Sequence, residues 1–199
     1  QSSHYAPLAY WDQELARLGN QLAAYRADYC AAWLPLLQEI AAGFLPEYQF
    51  RITLYPGWDS ERELVILLQE GFERDRSMGH TSLGPHRADL RLRANGVPVQ
   101  DVLSRGQLKL LVCAMRLAQG LFLNRQGERQ CIFLIDDFAS ELDSEKRRRL
   151  AQRLKQCASQ VFITAIDEAP LADMMSELEC HLFHVEQGAI TEYQARERE

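Results

Sequence analysis

Two neighbouring carboxylates follow an apolar stretch in the second half of the chain. Residues 131–135 are all apolar, and Asp136 and Asp137 come directly after them. Such a run is typical of a buried parallel strand, which ends at the sheet edge where α/β proteins bind ligands. Mg²⁺ bound to phosphate oxygens often neutralises such acids. Because successive residues that leave a strand point in different directions, Asp136 could face the metal and Asp137 an attacking water. An ordinary solvated loop is the alternative.

A serine and a glycine stand at the predicted start of a long helix, where residues 103–109 have the sequence LSRGQLK. Ser104 is a favourable N-cap, and Gly106 has no side chain to keep a ligand from the backbone. The start of a helix offers free N–H groups and a positive dipole end. Together these features suit a terminal phosphate, although a normally capped helix after a turn would have the same sequence.

The predicted order of elements places both groups in an α/β arrangement. A long apolar helix over residues 108–124 precedes the strand at 131–135, and a helix over 144–157 leads to a second apolar strand at 161–164. This order predicts a parallel sheet with helices on its faces, and the lack of alternation predicts strands buried on both sides. A short helix and a closing hairpin over 181–193 follow.

The first part of the chain has a helical pattern between residues 11 and 40. Apolar residues recur there at three- and four-residue steps, which predicts a core face or a helix–helix contact. They are Trp11, Leu15, Leu18, Leu22, Tyr25 and Tyr29. Pro35 predicts a break or the start of a second helix.

The following residues predict a small sheet and a short helix. Residues 48–54 alternate in polarity, as in a half-buried strand, and the helix after them is expected to end near Gly71. Its buried face is predicted to consist of Leu64, Leu67 and Leu68. Residues 90–99 alternate on both sides of Asn95-Gly96, a dipeptide typical of a tight hairpin turn.

The composition is that of a soluble globular protein of 199 residues, with 47% hydrophobic and 25% charged residues. A net charge of −6 argues against a general nucleic-acid coat, which is normally basic. The five scattered cysteines have no metal-ligand or redox spacing, which favours reduced, buried thiols in a cytoplasmic protein. No apolar run is expected to span a bilayer, and the start at Gln1 is interpreted as that of a C-terminal fragment.

Three motifs together resemble those of ABC-type ATPases. Residues 103–107 resemble the signature motif, residues 132–137 the Walker B strand, and residues 140–143 the D-loop, in the order that the family has. Together with residues 84–90 (GPHRADL) and 183–188, they resemble the RecF-like family of DNA repair ATPases. The resemblance implies an α/β fold, the C-terminal part of an ABC-type P-loop ATPase head with a parallel or mixed sheet and flanking helices. A mainly helical subdomain over residues 1–75 would precede this head part over 76–199.

The resemblance also implies a mechanism in which two heads close around two ATP molecules. The signature of one subunit would bind the nucleotide of the other in trans, through Ser104, Arg105, Gly106, Gln107 and Lys109. Asp136 would hold Mg²⁺ in cis, and Asp137 would be the catalytic base in place of the usual glutamate, which implies slow hydrolysis. Ser140 and Asp143 of the D-loop would lie at the interface of the ATP-dependent homodimer.

The same resemblance implies DNA as a partner, near junctions of single and double strands, and a role in the response to DNA damage. Such proteins help load recombinase at gaps with mediator proteins of the RecR and RecO type, in the cytoplasm and without a membrane. Candidate phosphate contacts are Arg87, Arg91, Arg93, Lys146, Arg147 and Arg148. Solvated surfaces are the alternative for each group.

Two departures from the family pattern keep other interpretations open. The loop G-x-x-x-x-G-K-[ST] is absent from these residues and is expected upstream, so this chain alone is not expected to hydrolyse ATP. Residues 164–167 hold no switch histidine, while His181 and His184 are expected to be surface or structural groups. The alternatives are another SMC-like or OLD-like head and, if no such loop lies upstream, a non-catalytic interaction module.

Overall fold

The structure, a computed structural model, describes residues 6–127, 130–136, 142–157 and 159–193. It contains two compact units, Gln1–Leu111 and Val112–Glu199, and the boundary lies within a helix. Asp137 and Ser140 lie outside the described residues. The expected division between residues 75 and 76 is not tested by these units and stays a prediction.

The first unit combines one long helix with a small antiparallel sheet. Its elements are α1 (Ala6–Phe44), β1 (Phe50–Tyr55), α2 (Leu64–Met78), β2 (Asp89–Ala94), β3 (Val97–Pro98), α3 (Val99–Val102) and the start of α4 (Arg105–Arg125). The strand order is β1-β2-β3. The predicted hairpin is confirmed, because Asn95 and Gly96 adopt positive φ angles of 50° and 82° between β2 and β3.

Helix α1 runs without a break through Pro35, so the predicted break is wrong. Pro35 lies on the exposed side, and Ala31, whose carbonyl loses its partner there, is exposed as well. Water can therefore satisfy that carbonyl. Trp33 and Leu37 are buried on the opposite side, with 1% and 0% of their surface exposed. Packing of this face outweighs the local cost of proline.

The predicted core stripe of α1 is mostly exposed in this chain. Trp11 is 66% exposed and Tyr25 is 72% exposed, while Ala16 and Cys30 on the neighbouring face are buried. The sequence pattern contained two overlapping apolar faces. The face with the smaller side chains packs on the unit's own core, because small residues allow close approach to α2 and the loop after it.

Helix α2 is longer than predicted, since it continues through Gly71 to Met78. It ends at Gly79, which adopts a left-handed conformation with φ 74° and donates its N–H to the carbonyl of Asp75 at 2.9 Å. The predicted buried face is confirmed, because Leu64, Leu67 and Leu68 are buried. They form a hydrophobic core with Ala16 and Trp58.

The second unit has the predicted order of strands and helices. It contains the end of α4, β4 (Phe133–Ile135), α5 (Ser144–Cys157), β5 (Val161–Ile163), α6 (Ala169–Met175), β6 (Leu182–Glu186) and β7 (Ala189–Tyr193). Strands β4 and β5 pair in parallel, and β6 and β7 form the predicted closing hairpin. Its turn uses Gln187 and Gly188 at φ 49° and 81°.

The expectation that β4 and β5 are buried on both faces is wrong for this chain. Leu134 is 78% exposed and Phe162 is 52% exposed. On the other face, Phe133 packs against Gly120 of α4, where an added Cβ would lie 2.3 Å from its ring. In the described part of the second unit, β4 and β5 pair only with each other, and these apolar side chains on one face have no cover.

Helix α4 corrects the expectation that no apolar run could span a bilayer. Within the described ranges, it is the helix long and apolar enough to do so by length and composition, with a mean hydropathy of 1.2. The core helix of a soluble protein can have the same length and composition, so one such helix does not by itself indicate a membrane span. Leu110 and Leu117 of α4 are buried in the protein, at 0% and 2% exposure.

All five cysteines are free thiols, as predicted. Cys30 and Cys157 are buried, Cys113 and Cys131 are partly buried, and Cys180 is exposed, contrary to the expectation of burial. Burial raises the pKa of Cys113 to about 12 and that of Cys157 to about 11, so both are protonated at neutral pH.

Candidate functional site

The start of α4 is closed by a reciprocal capping box between Ser104 and Gln107. The Gln107 N–H donates to Oγ of Ser104 at 3.3 Å, and the Ser104 N–H donates to Oε1 of Gln107 at 2.9 Å. Leu103, which is buried, has an extended backbone and leads into the helix. The predicted N-cap is confirmed, and it fixes the orientation of both polar side chains.

Gln107 has a second partner that the sequence did not indicate. Its side-chain N–H₂ donates to Oε1 of Glu47 at 3.1 Å, in the loop between α1 and β1. The spacing Ser-x-x-Gln is a known capping-box pattern and could have predicted the first contact. The contact with Glu47 joins residues 60 positions apart and has no local signal in the sequence.

This helix start has the properties of an anion site. Ser104 and Arg105 are exposed, and Gly106 is partly exposed. The N–H groups of Arg105 and Gly106 belong to the first turn, where a helix provides no acceptor of its own. Oγ of Ser104 accepts from Gln107, which leaves its proton available to a ligand. A phosphate oxygen would meet these donors and the positive end of the dipole.

Lys109 lies one turn farther along α4 and is partly exposed. The five predicted signature residues thus lie within six consecutive positions around the start of one helix: Ser104, Arg105, Gly106, Gln107 and Lys109. Gln107 is the most restrained of them, because its side chain is bonded at both its oxygen and its nitrogen.

Asp136 follows β4 directly and is exposed at the carboxyl end of the parallel strands. The hydroxyl of Thr164, the residue after β5, donates to its Oδ1 at 2.5 Å. The backbone N–H of Thr164 also donates to the carbonyl of Ile135 at 2.9 Å. Thr164 therefore aligns the Asp136 carboxylate along the sheet edge. Sequence reasoning noted position 164 only as lacking a histidine, and missed this contact.

The carboxylate of Asp136 fits a magnesium site of the kind that phosphates complete. Among the described residues, no group of three histidine, cysteine or acidic side chains could hold a metal ion. Mg²⁺ usually binds one or two carboxylates and takes its other ligands from phosphates and water. An exposed single carboxylate at a sheet edge suits that role, whereas it would not suit zinc or calcium. The neighbouring candidate, Asp137, lies outside the described residues.

Asp143 is the N-terminal cap of α5. Its Oδ1 accepts the backbone N–H of Lys146 at 2.9 Å, and its Oδ2 pairs with the Lys146 ammonium at 2.5 Å. These hydrogen bonds to the Lys146 side chain and backbone lower the pKa of Asp143 below its ordinary value. The second predicted D-loop residue, Ser140, lies outside the described residues.

The exposed face of β1 and β2 carries a basic cluster formed by Arg51, Arg91 and Arg93. Arg51 and Arg93 lie directly opposite each other in the antiparallel pair, and Arg91 lies opposite Thr53. The guanidinium of Arg91 lies 3.8 Å from the centre of the Tyr55 ring. Like charges in direct cross-strand positions destabilise a sheet unless an anion lies between them. Sequence reasoning missed Arg51, although its alternation within β1 could have placed it on this face.

The other predicted basic residues differ in whether their side chains already have a hydrogen-bond or ion-pair partner. Arg87 is exposed and lies 3.4 Å from Nε2 of His80. Lys146 is paired with Asp143, and Arg147 donates to the carbonyl of Leu142. Arg148 is exposed and, among the residues that the structure describes, forms no ion pair. The basic cluster on the sheet is therefore better exposed to an external anion than the start of α5.

Two other features do not take part in this arrangement. An open cleft of about 440 Å³ between α1 and the end of α2 contains none of the predicted site residues. His181 and His184 are exposed on the closing hairpin and lie near Glu192 and Glu186, at 2.8 and 3.7 Å. Their expected surface position is confirmed.

Comparison with known families gives one match that covers most of the chain. Residues 31–191 match the model of the RecF/RecN/SMC N-terminal domain. The matched range includes the start of α4, the end of β4 and the basic cluster on the sheet.

Curated relatives match almost the whole chain at about half identity. The DNA replication and repair protein RecF of Pectobacterium atrosepticum is 52% identical over 191 residues, which are 96% of this chain and 53% of the relative. The protein of the same name from Vibrio atlanticus is 50% identical over 189 residues, covering 95% of this chain and 52% of the relative. The chain thus spans about half the length of the curated relatives it matches.

Solved structures show the same fold. A structure of the recombination mediator protein RecF with ATP superposes with a TM-score of 0.68 at 21% identity, over 95% of this chain and 51% of that chain. A structure from a study of ATP-driven dimerization and DNA-stimulated activation of SMC ATPases has a TM-score of 0.56 at 15% identity. It covers 86% of this chain and 89% of that chain.

Proposed function

The chain belongs to the RecF/RecN/SMC N-terminal domain family, and from this premise we propose that it supplies the distal half of an ATP-dependent DNA-binding clamp for recombinational repair. The expected RecF-like resemblance and ATPase-head fold are confirmed by the relatives and by the solved structures. The term full-length protein below means a protein of the relatives' length that contains this chain.

The start of α4 is the observation that carries the proposal. Ser104 and Gln107 are held by the capping box, with Gly106 between them, at an exposed helix terminus that suits a phosphate. In the proposed clamp this terminus binds the γ-phosphate of ATP held by the second subunit. Arg105 adds positive charge on the first turn of α4, and Lys109 adds it on the next turn. The clamp closes when ATP is present because each nucleotide then lies between two subunits.

The end of β4 provides the second part of the proposed site. Asp136, aligned by Thr164, would bind Mg²⁺ in cis, and the metal would neutralise charge on the phosphates. Asp137 would act as the general base toward water. Its side chain is one methylene shorter than the glutamate of most ABC-type ATPases, so slow turnover is expected, as in a timer. Asp143 and Ser140 would lie along the interface of the two subunits.

The basic cluster on the sheet supports DNA as the partner. Arg51 and Arg93 lie directly opposite each other in the sheet, and a DNA phosphate near this pair would be attracted by both guanidinium groups. Arg87, Arg148 and, after local rearrangement, Lys146 and Arg147 are further phosphate contacts. Binding is proposed near junctions of single and double strands, where the clamp helps mediators of the RecR and RecO type to load recombinase. A cytoplasmic location follows from this role.

The proposal is tested by the ATP-dependent dimerisation of the full-length protein. Ser104→Arg should block dimer formation, measured by light scattering with ATP and Mg²⁺, while fluorescent ATP still binds to the monomer. Ser77→Arg, which adds the same side chain at an exposed position of α2, is the matched control and should dimerise normally. Normal dimerisation of the Ser104 variant would contradict the role of α4 in trans.

A further inference from the structure

Glu47 is held at the corner of a tight turn between α1 and β1. The N–H of Tyr48 donates to the carbonyl of Leu45 at 3.1 Å and closes a β-turn. Pro46 and Glu47 are its two central residues, and proline sets the backbone angle that the first central position requires. Leu45 is fully buried, and its N–H donates to the carbonyl of Ala41 in α1 at 2.9 Å. The turn therefore presents the exposed Glu47 side chain from a fixed backbone.

The other end of this turn is attached to the β2–β3 hairpin. The N–H of Gln49 donates to Oδ1 of Asn95 at 2.8 Å, and the N–H of Asn95 donates to the carbonyl of Gln49 at 2.9 Å. Phe50 and Ala94, the next residues on either side, begin the pairing of β1 with β2. Because both ends of the turn are attached, the backbone at Glu47 cannot shift without breaking these hydrogen bonds.

The carboxylate of Glu47 fixes which end of the Gln107 amide faces the start of α4. A carboxylate accepts hydrogen bonds and a backbone N–H donates them, so Glu47 requires the amide nitrogen and Ser104 requires the amide oxygen. The two contacts, at 3.1 and 2.9 Å, therefore need the same orientation of one side chain. In the opposite orientation the amide nitrogen would face the N–H of Ser104, and the capping box would be lost.

We propose that Glu47 is a positioning residue for the signature and that it acts through Gln107. The inference rests on the proposed function, in which Ser104 binds the γ-phosphate of ATP held by the second subunit. With the amide fixed, the hydroxyl of Ser104 accepts from the Gln107 N–H at 3.3 Å and keeps its own proton for the phosphate. A donor that is oriented before binding loses less conformational entropy when the clamp closes.

The reach of the Glu47 side chain, rather than its charge, is what this role requires. The charge alone would repel a phosphate, but the carboxylate is exposed and lies beyond the Gln107 amide, so water and salt screen it. The reach matters because the contact with Gln107 has a length of 3.1 Å, and a side chain one methylene shorter would withdraw the carboxylate beyond hydrogen-bond distance. Two substitutions separate reach from charge.

The test measures the ATP concentration that gives half-maximal dimerisation of the full-length protein, by light scattering with Mg²⁺. Glu47→Asp keeps the charge and loses the reach, so this concentration should rise by about threefold to tenfold, the effect of one typical hydrogen bond. Glu47→Gln loses the charge and keeps an acceptor at the same reach, so the concentration should stay within about twofold of the wild-type value. Fluorescent ATP should bind to the monomers of both variants as it does to the wild type, because that nucleotide is held in cis.

Glu61→Ala is the control, because it removes a carboxylate from another exposed position of the first unit, and it should dimerise like the wild type. A Glu47→Gln variant weakened as much as Glu47→Asp, or more, would assign the effect to charge and overturn the proposal. Equal ATP dependence of Glu47→Asp and the wild type would overturn it too. Dimerisation of either variant at lower ATP would make Glu47 an inhibitory charge, which also contradicts the proposed role.

The Ser104→Arg variant distinguishes this inference from the proposed function. If it blocks dimerisation while Glu47→Asp behaves like the wild type, the signature acts in trans and only the role of Glu47 is wrong. If Ser104→Arg dimerises normally, the proposed function itself is wrong.

Discussion

The hydroxyl of Thr164 donates a hydrogen bond to Oδ1 of Asp136 across the carboxyl ends of two neighbouring parallel strands. The register of β4 and β5 places these two residues side by side, because Ile135 pairs with Ile163 and the next residue of each strand is the polar one. A single hydroxyl thus orients the carboxylate proposed to bind Mg²⁺.

The first prediction concerns this hydroxyl. Thr164→Val in the full-length protein should lower the affinity for Mg²⁺. The Mg²⁺ concentration needed for half-maximal ATP turnover should rise by about tenfold to a hundredfold, the range seen when partners of metal ligands are removed. Thr164→Ser keeps the donor and should restore most of the affinity. A magnesium titration of the turnover rate measures both. Equal magnesium dependence in the valine variant and the wild type would show that this hydrogen bond does not orient a metal ligand.

The second prediction concerns the pH dependence of stability at the start of α5. Lys146 lowers the pKa of Asp143 below its ordinary value of 3.8, so the unfolded chain takes up this proton at a higher pH than the folded chain. The contribution of Asp143 to stability is therefore complete at neutral pH and is lost as the pH falls below about 4. Asp143→Ala should cost about 1 kcal/mol at pH 7 through loss of the cap.

Asp143→Asn is the control, because an asparagine side chain can cap the helix but does not titrate in this range. Urea unfolding from pH 7 down to pH 3 should show a smaller loss of stability for this variant than for the wild type. If both lose the same free energy over that range, the Asp143–Lys146 contact does not contribute to the acid sensitivity.

The third prediction compares two helical glycines. A Cβ added at Gly120 would lie 2.3 Å from the Phe133 ring, so Gly120→Ala should destabilise the chain by about 1–3 kcal/mol. A Cβ at Gly71 would lie 3.8 Å from Oδ2 of Asp75 and 3.1 Å from Nη2 of Arg74, an exposed side chain that also contacts Ser82 and needs to shift by only a few tenths of an ångström. Gly71→Ala should therefore stabilise α2 by about 1 kcal/mol. Urea unfolding measures both, and a stabilising Gly120→Ala would mean that α4 does not pack on β4 in this way.

The fourth prediction separates DNA binding from folding. Arg51→Thr removes one of two facing like charges, so it should raise the stability of the chain by a few tenths of a kcal/mol. The same change should weaken DNA binding by the full-length protein and reduce the slope of log affinity against log salt by about 1. Arg76→Ala, at an exposed position of α2, is the control and should change neither quantity much. Unchanged DNA affinity in the Arg51 variant would exclude this cluster as a phosphate contact.

Local chemistry made much of the fold predictable from sequence. The Asn95-Gly96 turn, the buried leucines of α2 and the bounds of α5 all follow from short patterns that the structure confirms. The errors arose where packing outweighs local preference. Pro35 does not break α1 because the carbonyl that it leaves unpaired is exposed. Gly71 does not end α2, which continues to Met78 and is capped at Gly79 instead.

The candidate site was predictable in its residue types but not in its contacts. Motif order located the start of α4 and the end of β4, and the capping box, which was not predicted, could have been predicted from the spacing of Ser104 and Gln107. The contacts of Gln107 with Glu47 and of Asp136 with Thr164 join distant positions and depend on the register of the fold. Burial of β4 and of the α1 stripe was overestimated, because apolar patterns show which faces need a partner but not whether this chain provides it.

The measurement that tests the central claim most directly is ATP turnover in a mixture of two inactive variants of the full-length protein. Ser104→Ala removes the signature hydroxyl without adding the bulk and charge that block dimer formation, and Asp136→Asn damages the metal site. If the signature acts in trans, a mixed dimer contains one site with both defects and one site with neither, so the mixture should regain part of the wild-type rate. A mixture that stays as inactive as either variant alone would contradict a site shared between two subunits.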